Sequence, residues 1–77
     1  MVSAYILVQT ELGLAAEVAT SAAQLPGVSS ADDVTGPYDV IIRAQAENVD
    51  ELGRMVVSAI QSIPGITRTL TCPIVNL

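Results

Sequence analysis

The sequence has 77 residues, a formal net charge of −5, and 51% hydrophobic against 14% charged residues. A chain of this length forms one small domain, which is only marginally stable unless disulfides, a metal or an oligomer interface support it. The single cysteine, Cys72, cannot form a disulfide within the chain and is interpreted as a small packed hydrophobe. Without histidine there are few metal ligands, so no metal or cofactor is expected. An oligomer interface is the support that remains.

Charge and hydropathy also restrict the classes of partner. The chain has no lysine, and its three basic residues are Arg43, Arg54 and Arg68. Nucleic-acid binding depends on many cationic contacts with phosphates, so neither direct nucleic-acid binding nor attachment to an anionic membrane is expected. No apolar run approaches the roughly 20 residues of a transmembrane helix, and the N-terminus lacks the pattern of a signal peptide. The sequence therefore predicts a cytoplasmic protein.

The first predicted element is a strand over Val2–Gln9, which is rich in aromatic and β-branched residues. Both alternating sets of its side chains are largely apolar, so both faces of the strand are predicted to be buried. The two sets are Ala4, Ile6 and Val8 on one side and Tyr5, Leu7 and Gln9 on the other.

A helix over residues 12–24 is predicted next. Its apolar residues recur at helical spacing, and Pro26-Gly27 ends it. The recurring residues are Leu14, Val18, Ala22 and Leu25. The more polar segment Val28–Val34 that follows is predicted to be an edge strand.

The segment Thr35–Asp39 has the chemistry of a turn, since glycine supplies unusual dihedral angles and proline fixes its own φ. It leads directly into a predicted strand over Asp39–Ala46, so the two strands are expected to form a hairpin. Asn48 then precedes Glu51 by three residues, which is the layout of a capping box at the start of a second helix.

The apolar spacing of the second helix predicts its buried side. The predicted buried residues are Val49, Leu52, Val56, either Ala59 or Ile60, and Ile63. Pro64-Gly65 ends this helix, and a last strand is predicted over Ile66–Val75.

A short repeat organises these elements. Leu25-Pro26-Gly27-Val28 ends the first helix and opens a strand, and Ile63-Pro64-Gly65-Ile66 does the same for the second. Two such units give β-α-β-β-α-β, an α+β ferredoxin-like fold with a four-stranded antiparallel sheet and both helices on one face. Nothing in the chain covers the other, largely apolar face. A sheet-to-sheet dimer is therefore expected, and a monomer with an open sheet is the alternative.

No conventional catalytic group can be assigned. The chain has no His or Lys and thus no nucleophile–base pair, and the adjacent Asp32 and Asp33 face opposite sides of a strand. Arg43 and Arg68 lie within predicted strands. They are either surface arginines with packed stems, or they form an interface ion pair or bind a ligand carboxylate.

The turn is the strongest candidate for a binding site. Gly36 exposes backbone N–H groups to an anion, and Asp39 offers a carboxylate to an ammonium, so together they complement an α-amino acid. A purely structural hairpin explains the same residues equally well. Thr67, Thr69 and Thr71 share one face of the last strand, a weak signal because threonine is common in strands.

The run from Val34 to Ala44 and the run from Ile63 to Thr71 carry a family resemblance. Their Gly-x-Tyr-Asp turn, Pro-Gly-Ile step and spaced threonines resemble the effector-binding domain of the Lrp/AsnC regulators, also called the regulation-of-amino-acid-metabolism domain. The resemblance covers essentially the whole chain.

The resemblance implies the same β-α-β-β-α-β fold, sheet-to-sheet homodimers, and rings of four or five dimers, that is, octamers or decamers. It also implies that an amino acid or a related small metabolite binds near the Gly-x-Tyr-Asp turn, at contacts between dimers. The ligand-binding residues carried over from the family are Gly36, Tyr38 and Asp39, with Thr69 and Thr71 as weaker candidates.

Typical members of the family also carry an N-terminal helix-turn-helix domain, whereas here the chain begins at the first strand. A stand-alone effector-binding domain over residues 1–77 is therefore expected. Such a domain would not bind an operator itself, and it would bind a metabolite, assemble with full-length Lrp/AsnC regulators, or both.

Two other classes of function stay open at this point. One is a structural or interaction subunit whose turn does not bind a ligand. The other is a small enzyme, since ferredoxin-like dimers host isomerases and monooxygenases. The absence of histidine argues against the enzyme.

Overall fold

The computed structural model describes residues 1–75, and the last two residues of the predicted domain lie outside the described part. Its elements occur in the order β-α-β-β-α-β, and the four strands form one antiparallel sheet in the order β2-β3-β1-β4. The elements are β1 (Val2–Thr10), α1 (Ala15–Ala23), β2 (Val28–Asp33), β3 (Val40–Ala46), α2 (Val49–Met55), a π-turn (Val56–Ile60) that continues α2, and β4 (Ile66–Pro73). The ferredoxin-like prediction is confirmed, with β2 at a sheet edge as expected.

One face of the sheet packs against both helices and forms the core. Alternate residues of β1 and β3 form the sheet side of this core, because side chains alternate between the two faces of a strand. The fully buried strand residues are Ala4, Ile6, Val8, Val40, Ile42 and Ala44. The residues that cover them are Val18, Ala19, Ala22, Leu52, Val56 and Ile60 on the helical segments, and Ile63 in the connection to β4. The two Pro-Gly steps end the helical segments as predicted.

The first helix begins later than the predicted residue 12. Gly13 has a φ of +84°, which interrupts helical geometry, and the backbone N–H of Leu14 donates to the carbonyl of Glu11 to close a turn. Helix α1 therefore starts at Ala15. Leu12 lies in that turn and is fully exposed.

The second helix begins as the capping box predicts, since the side chain of Asn48 accepts a hydrogen bond from the backbone N–H of Glu51. The side chain of Glu51 instead forms an ion pair with Arg54 at 2.8 Å. The prediction that Val49 is buried is wrong, because Val49 is 63% exposed on the outer side of α2. Of the two alternatives further along, Ile60 is the buried residue.

Three strands are shorter than predicted by one or two residues, whereas β1 extends one residue further, to Thr10. Strand β2 ends at Asp33, β3 starts at Val40, and β4 ends at Pro73. The remaining residues of the predicted strands belong to the connections on either side.

The sheet face that no helix covers is called here the open face. Strand register places its residues side by side, with the Arg43–Tyr5–Cys72 row next to the Ile41–Leu7–Leu70 row. Its members are Ser3, Tyr5, Leu7, Gln9, Ser30, Asp32, Ile41, Arg43, Gln45, Arg68, Leu70 and Cys72. Cys72 is exposed, so its interpretation as a packed hydrophobe is wrong for the single chain. The predicted sheet-to-sheet dimer stays a prediction.

Candidate functional site

The predicted turn connects β2 to β3 and is closed by its own backbone. The N–H of Val34 donates to the carbonyl of Asp39 at 2.9 Å, which brings the two ends of the loop together. Gly36 has a φ of +134°, a backbone conformation that side chains of L-residues rarely adopt. A Cβ there would meet nothing within 4 Å, so the requirement for glycine is conformational rather than steric. The tip of the loop is exposed to solvent.

Asp39 attaches this turn to the end of β1. Its N–H donates to the carbonyl of Val8 at 2.9 Å, and its Oδ2 accepts from the N–H of Thr10 at 2.8 Å. Nε2 of Gln9 also donates to the carbonyl of Pro37 at 3.2 Å. One carboxylate oxygen thus has a structural role, while the other oxygen retains acceptor capacity for a ligand.

Tyr38 precedes Asp39 in the same loop and is half-buried. The structure therefore brings Gly36, Tyr38 and Asp39 together beside the end of β1. Because Asp39 is fixed through two hydrogen bonds, its carboxylate has a defined position at this end of the sheet.

Thr69 and Thr71 lie on β4, on the other side of β1. They pair with Val8 and Ile6, so both point toward the helix-covered side of the sheet, and both are half-buried. The hydroxyl oxygen of Thr69 accepts a hydrogen bond of 2.9 Å from Nε2 of Gln61. Thr69 is closer than Thr71 to the end of the sheet where the turn lies.

The two groups of predicted residues do not form one compact cluster. Strand β1 separates β3 from β4, and two strand spacings amount to about 10 Å between backbones. Within one chain, the turn and the threonines therefore lie at neighbouring but distinct places around the end of β1.

Two hydrogen-bond contacts of this region were not predicted. Gln61 follows the π-turn, where its N–H donates to the carbonyl of Val56 five residues earlier at 2.9 Å. The wider π geometry sets the direction of Gln61, and regular helical spacing does not predict that direction. Thr10 contributes only its backbone N–H, so the type of its side chain could not indicate this contact either.

A groove of about 480 Å³ lies at the opposite end of the sheet, beside the start of α2. Its lining residues include Gly27, Gln45, Met55 and the two acidic residues Glu47 and Glu51. None of the lining residues belongs to the predicted ligand-binding set. We therefore place the candidate site at the Gly36–Asp39 turn, although this groove lies elsewhere.

Two further observations concern residues 1–75. In this part of the chain, no group of three or more His, Cys, Asp or Glu side chains is placed to hold a metal ion. None of the helices within the described range has the length and apolarity needed to cross a membrane.

Comparison with curated proteins identifies related regulators. The HTH-type transcriptional regulator FL11 of Pyrococcus horikoshii is 35% identical over 68 residues, which are 88% of this chain and 44% of FL11. The chain spans about two fifths of the length of the curated relatives it matches.

Solved structures share the fold over almost the whole chain. The crystal structure of TTHA0845 from Thermus thermophilus has a TM-score of 0.92 and 30% identity, covering 100% of this chain and 96% of that one. The Neisseria meningitidis transcriptional regulator NMB0573, in complex with L-Met, has a TM-score of 0.84 and 22% identity, covering 97% of this chain and 50% of that one.

The family model for the Lrp/AsnC ligand binding domain matches residues 3–76. The match includes the turn, both helices and the threonine-bearing strand on which the resemblance was based. The chain therefore belongs to the Lrp/AsnC ligand-binding domain family.

Proposed function

We propose that residues 1–77 form a regulatory module that binds an amino acid or a related small metabolite at the Gly36–Asp39 turn. The observation that carries this proposal is the pairing of two complementary groups in that turn. Within residues 1–75, the exposed N–H groups of Thr35 and Gly36 have no hydrogen-bond partner, and a fixed carboxylate lies three residues away at Asp39. An α-carboxylate fits the N–H groups and an α-ammonium fits the carboxylate.

The class of ligand is supported by the relatives. The family model describes a ligand-binding domain, and the Neisseria meningitidis neighbour was solved with L-Met. We infer that the exposed turn of one chain forms only one wall of this site. We propose that a second copy provides the opposite wall, so the site is complete only in an assembly.

The assembly is proposed to begin with a homodimer through the open face. Leu7 and Ile41 are half-buried and Leu70 is 45% exposed, so the middle of this face is apolar and accessible. Apolar patches of this kind mark interfaces. Dimers are proposed to associate further into an octamer or decamer ring that brings turns of neighbouring dimers together.

The action on transcription is proposed to be indirect. A net charge of −5 and three arginines leave this stretch of chain without the cationic surface that phosphate binding requires. We propose that the module binds its ligand without chemical conversion and modulates full-length Lrp/AsnC regulators through mixed assembly.

Titration calorimetry of the chain against each proteinogenic amino acid tests ligand binding. We expect one amino acid, or a small group of similar ones, to bind to wild type and to Asp33→Ala, and not to Asp39→Ala. Asp33 is the matched control because it is an exposed aspartate at the end of β2. Absence of binding across the whole panel would contradict the proposal.

A second candidate function is an interaction subunit that binds no ligand. The hydrogen bond from Thr10 to Asp39 favours it, since the carboxylate already has a structural partner at 2.8 Å. In that case Asp39→Ala would alter stability and nothing else, and a full-length relative would bind the chain without any small molecule.

A further inference from the structure

The groove beside the start of α2 is formed by the single chain. One side of it is the Pro26-Gly27 step between α1 and β2, and the other side lies within residues 47–51. The N–H of Gln45 donates to the carbonyl of Gly27 at 2.8 Å, which connects the first side to β3. A Cβ on Gly27 would lie 3.1 Å from Sδ of Met55, so this side also approaches Met55 closely. The groove therefore exists before any partner arrives.

The lining of the groove combines apolar and acidic groups. Ala46 and Met55 are half-buried and give the groove an apolar base, whereas Glu47 and Glu51 are exposed beside it. Within residues 1–75, the recorded ion pair joins Oε1 of Glu51 to Nη1 of Arg54 at 2.8 Å. Oε2 of Glu51 and the carboxylate of Glu47 therefore retain acceptor capacity. An occupant that complements this lining is cationic at its tip and apolar along its body.

The exposure of the lining indicates a protein side chain rather than a free small molecule. Of the eight lining residues, Ala46 and Met55 are half-buried and the other six are exposed. Sites for free small molecules enclose most of the surface of the ligand. An open groove of about 480 Å³ leaves much of an occupant uncovered, and a partner protein covers its own side chain from the outside.

The basic residues of this chain are not suited to fill the groove of a second copy. The chain has no lysine and three arginines. Arg54 is paired with Glu51, and Arg43 and Arg68 lie on the open face, which the proposed dimer covers. The occupant therefore comes from a different protein. Arginine fits better than lysine, because its planar guanidinium bonds to carboxylates through several N–H groups and its aliphatic stem packs on apolar surface.

We propose that this groove binds an arginine side chain of another protein, with the aliphatic stem on Ala46 and Met55 and the guanidinium at Glu47 and Glu51. The inference does not depend on ligand binding at the Gly36–Asp39 turn, which lies at the other end of the sheet. Charge complementarity at an exposed site determines partner choice more than affinity. Binding of a single arginine is therefore weak and decreases with ionic strength.

The test is an NMR titration of the isotopically labelled chain with the peptide acetyl-Ala-Arg-Ala-amide. We expect the shifted amide signals to belong to the lining residues, and the affinity to fall at least about threefold in Glu47→Gln/Glu51→Gln. Asn48 still caps α2 in this variant, because it accepts from the backbone N–H of Glu51. The matched control is Asp32→Asn/Asp33→Asn, which removes the same charge at the far end of β2 and should leave the affinity unchanged.

Two further probes separate the possible occupants. Acetyl-Ala-citrulline-Ala-amide has nearly the same shape without the charge and should bind more weakly, and n-propylguanidinium is the arginine side chain alone and should also bind more weakly. Equal affinity for the arginine and citrulline peptides, equal affinity in the two double variants, or shifts confined to other residues would overturn the proposal. Binding of n-propylguanidinium as tight as that of the peptide would overturn the protein partner and assign the groove to a small cation.

Discussion

The two faces of the sheet use neighbouring residues of the same strands in different ways. Ile6 and Ile42 point toward the helices and are fully buried, whereas Leu7 and Ile41 point to the open face and are only half-buried. The helix-covered face is thus completed by the chain itself, whereas the open face is covered only in the proposed dimer. Substitutions on the first face should affect folding, and those on the second should affect assembly.

The largest expected effect is loss of the fold through the helix-covered face. Ile42→Ala removes a fully buried side chain and should lower the free energy of unfolding by about 2–5 kcal/mol, a large fraction of the stability of a small domain. Thermal unfolding followed by circular dichroism measures it. The control is Ile41→Ala at concentrations below those of self-association, where a much smaller loss is expected. Equal losses would contradict the distinction between the faces.

The next largest effect is on assembly. Leu7→Asp places a charge in the apolar middle of the open face and should produce a folded monomer, detected as a reduced mass by light scattering with an unchanged circular dichroism spectrum. Leu12→Asp is the control, because Leu12 is fully exposed in the turn before α1 and lies outside the open face. An oligomer that survives Leu7→Asp would show that the interface lies elsewhere.

A smaller effect separates the two roles of Asp39. Asp39→Ala removes the acceptor of the Thr10 N–H and should lower the free energy of unfolding by about 1–2 kcal/mol. Asp39→Asn keeps an acceptor oxygen and should recover most of that stability, yet it lacks the negative charge for an ammonium and should not restore ligand binding. Calorimetry and thermal unfolding of both variants measure this. Ligand affinity that follows stability alone would assign Asp39 a structural role only.

The smallest effect on stability is expected at Gln61. Gln61→Ala removes an exposed hydrogen bond to Thr69 and should change the free energy of unfolding by no more than about 0.5 kcal/mol. Ligand affinity should nevertheless fall if β4 lines the assembled site, whereas the control Gln24→Ala at the end of α1 should leave it unchanged. Identical affinities in the two variants would exclude Gln61 and Thr69 from the site.

Much of the fold could be predicted because its signals are local. Asn48 caps the second helix, the Pro-Gly steps end both helical segments, and alternation in β1 separates its two faces correctly. The errors lie where local pattern and tertiary packing differ. Val49 continues the apolar spacing of α2 but is exposed in its first turn, and Gly13 delays the start of α1 despite the apolar Leu12 before it.

The candidate site could be predicted only in part. The turn chemistry and the family resemblance predict Gly36, Tyr38 and Asp39, which the chain connects within four residues. Their relation to Thr69 depends on strand order, and the hydrogen bond from Thr10 to Asp39 joins residues 29 positions apart. Such contacts depend on the complete sheet, and no local pattern in a single sequence indicates them.

The most direct test of the central claim, a ligand-responsive oligomer, is the mass of the chain in solution, measured by light scattering with and without each amino acid. The account predicts a mass at least twice the 8.0 kDa of one chain, and a change in the size of the assembly with one amino acid or a few related ones. A monomer, or an oligomer that responds to no amino acid in the panel, would contradict it.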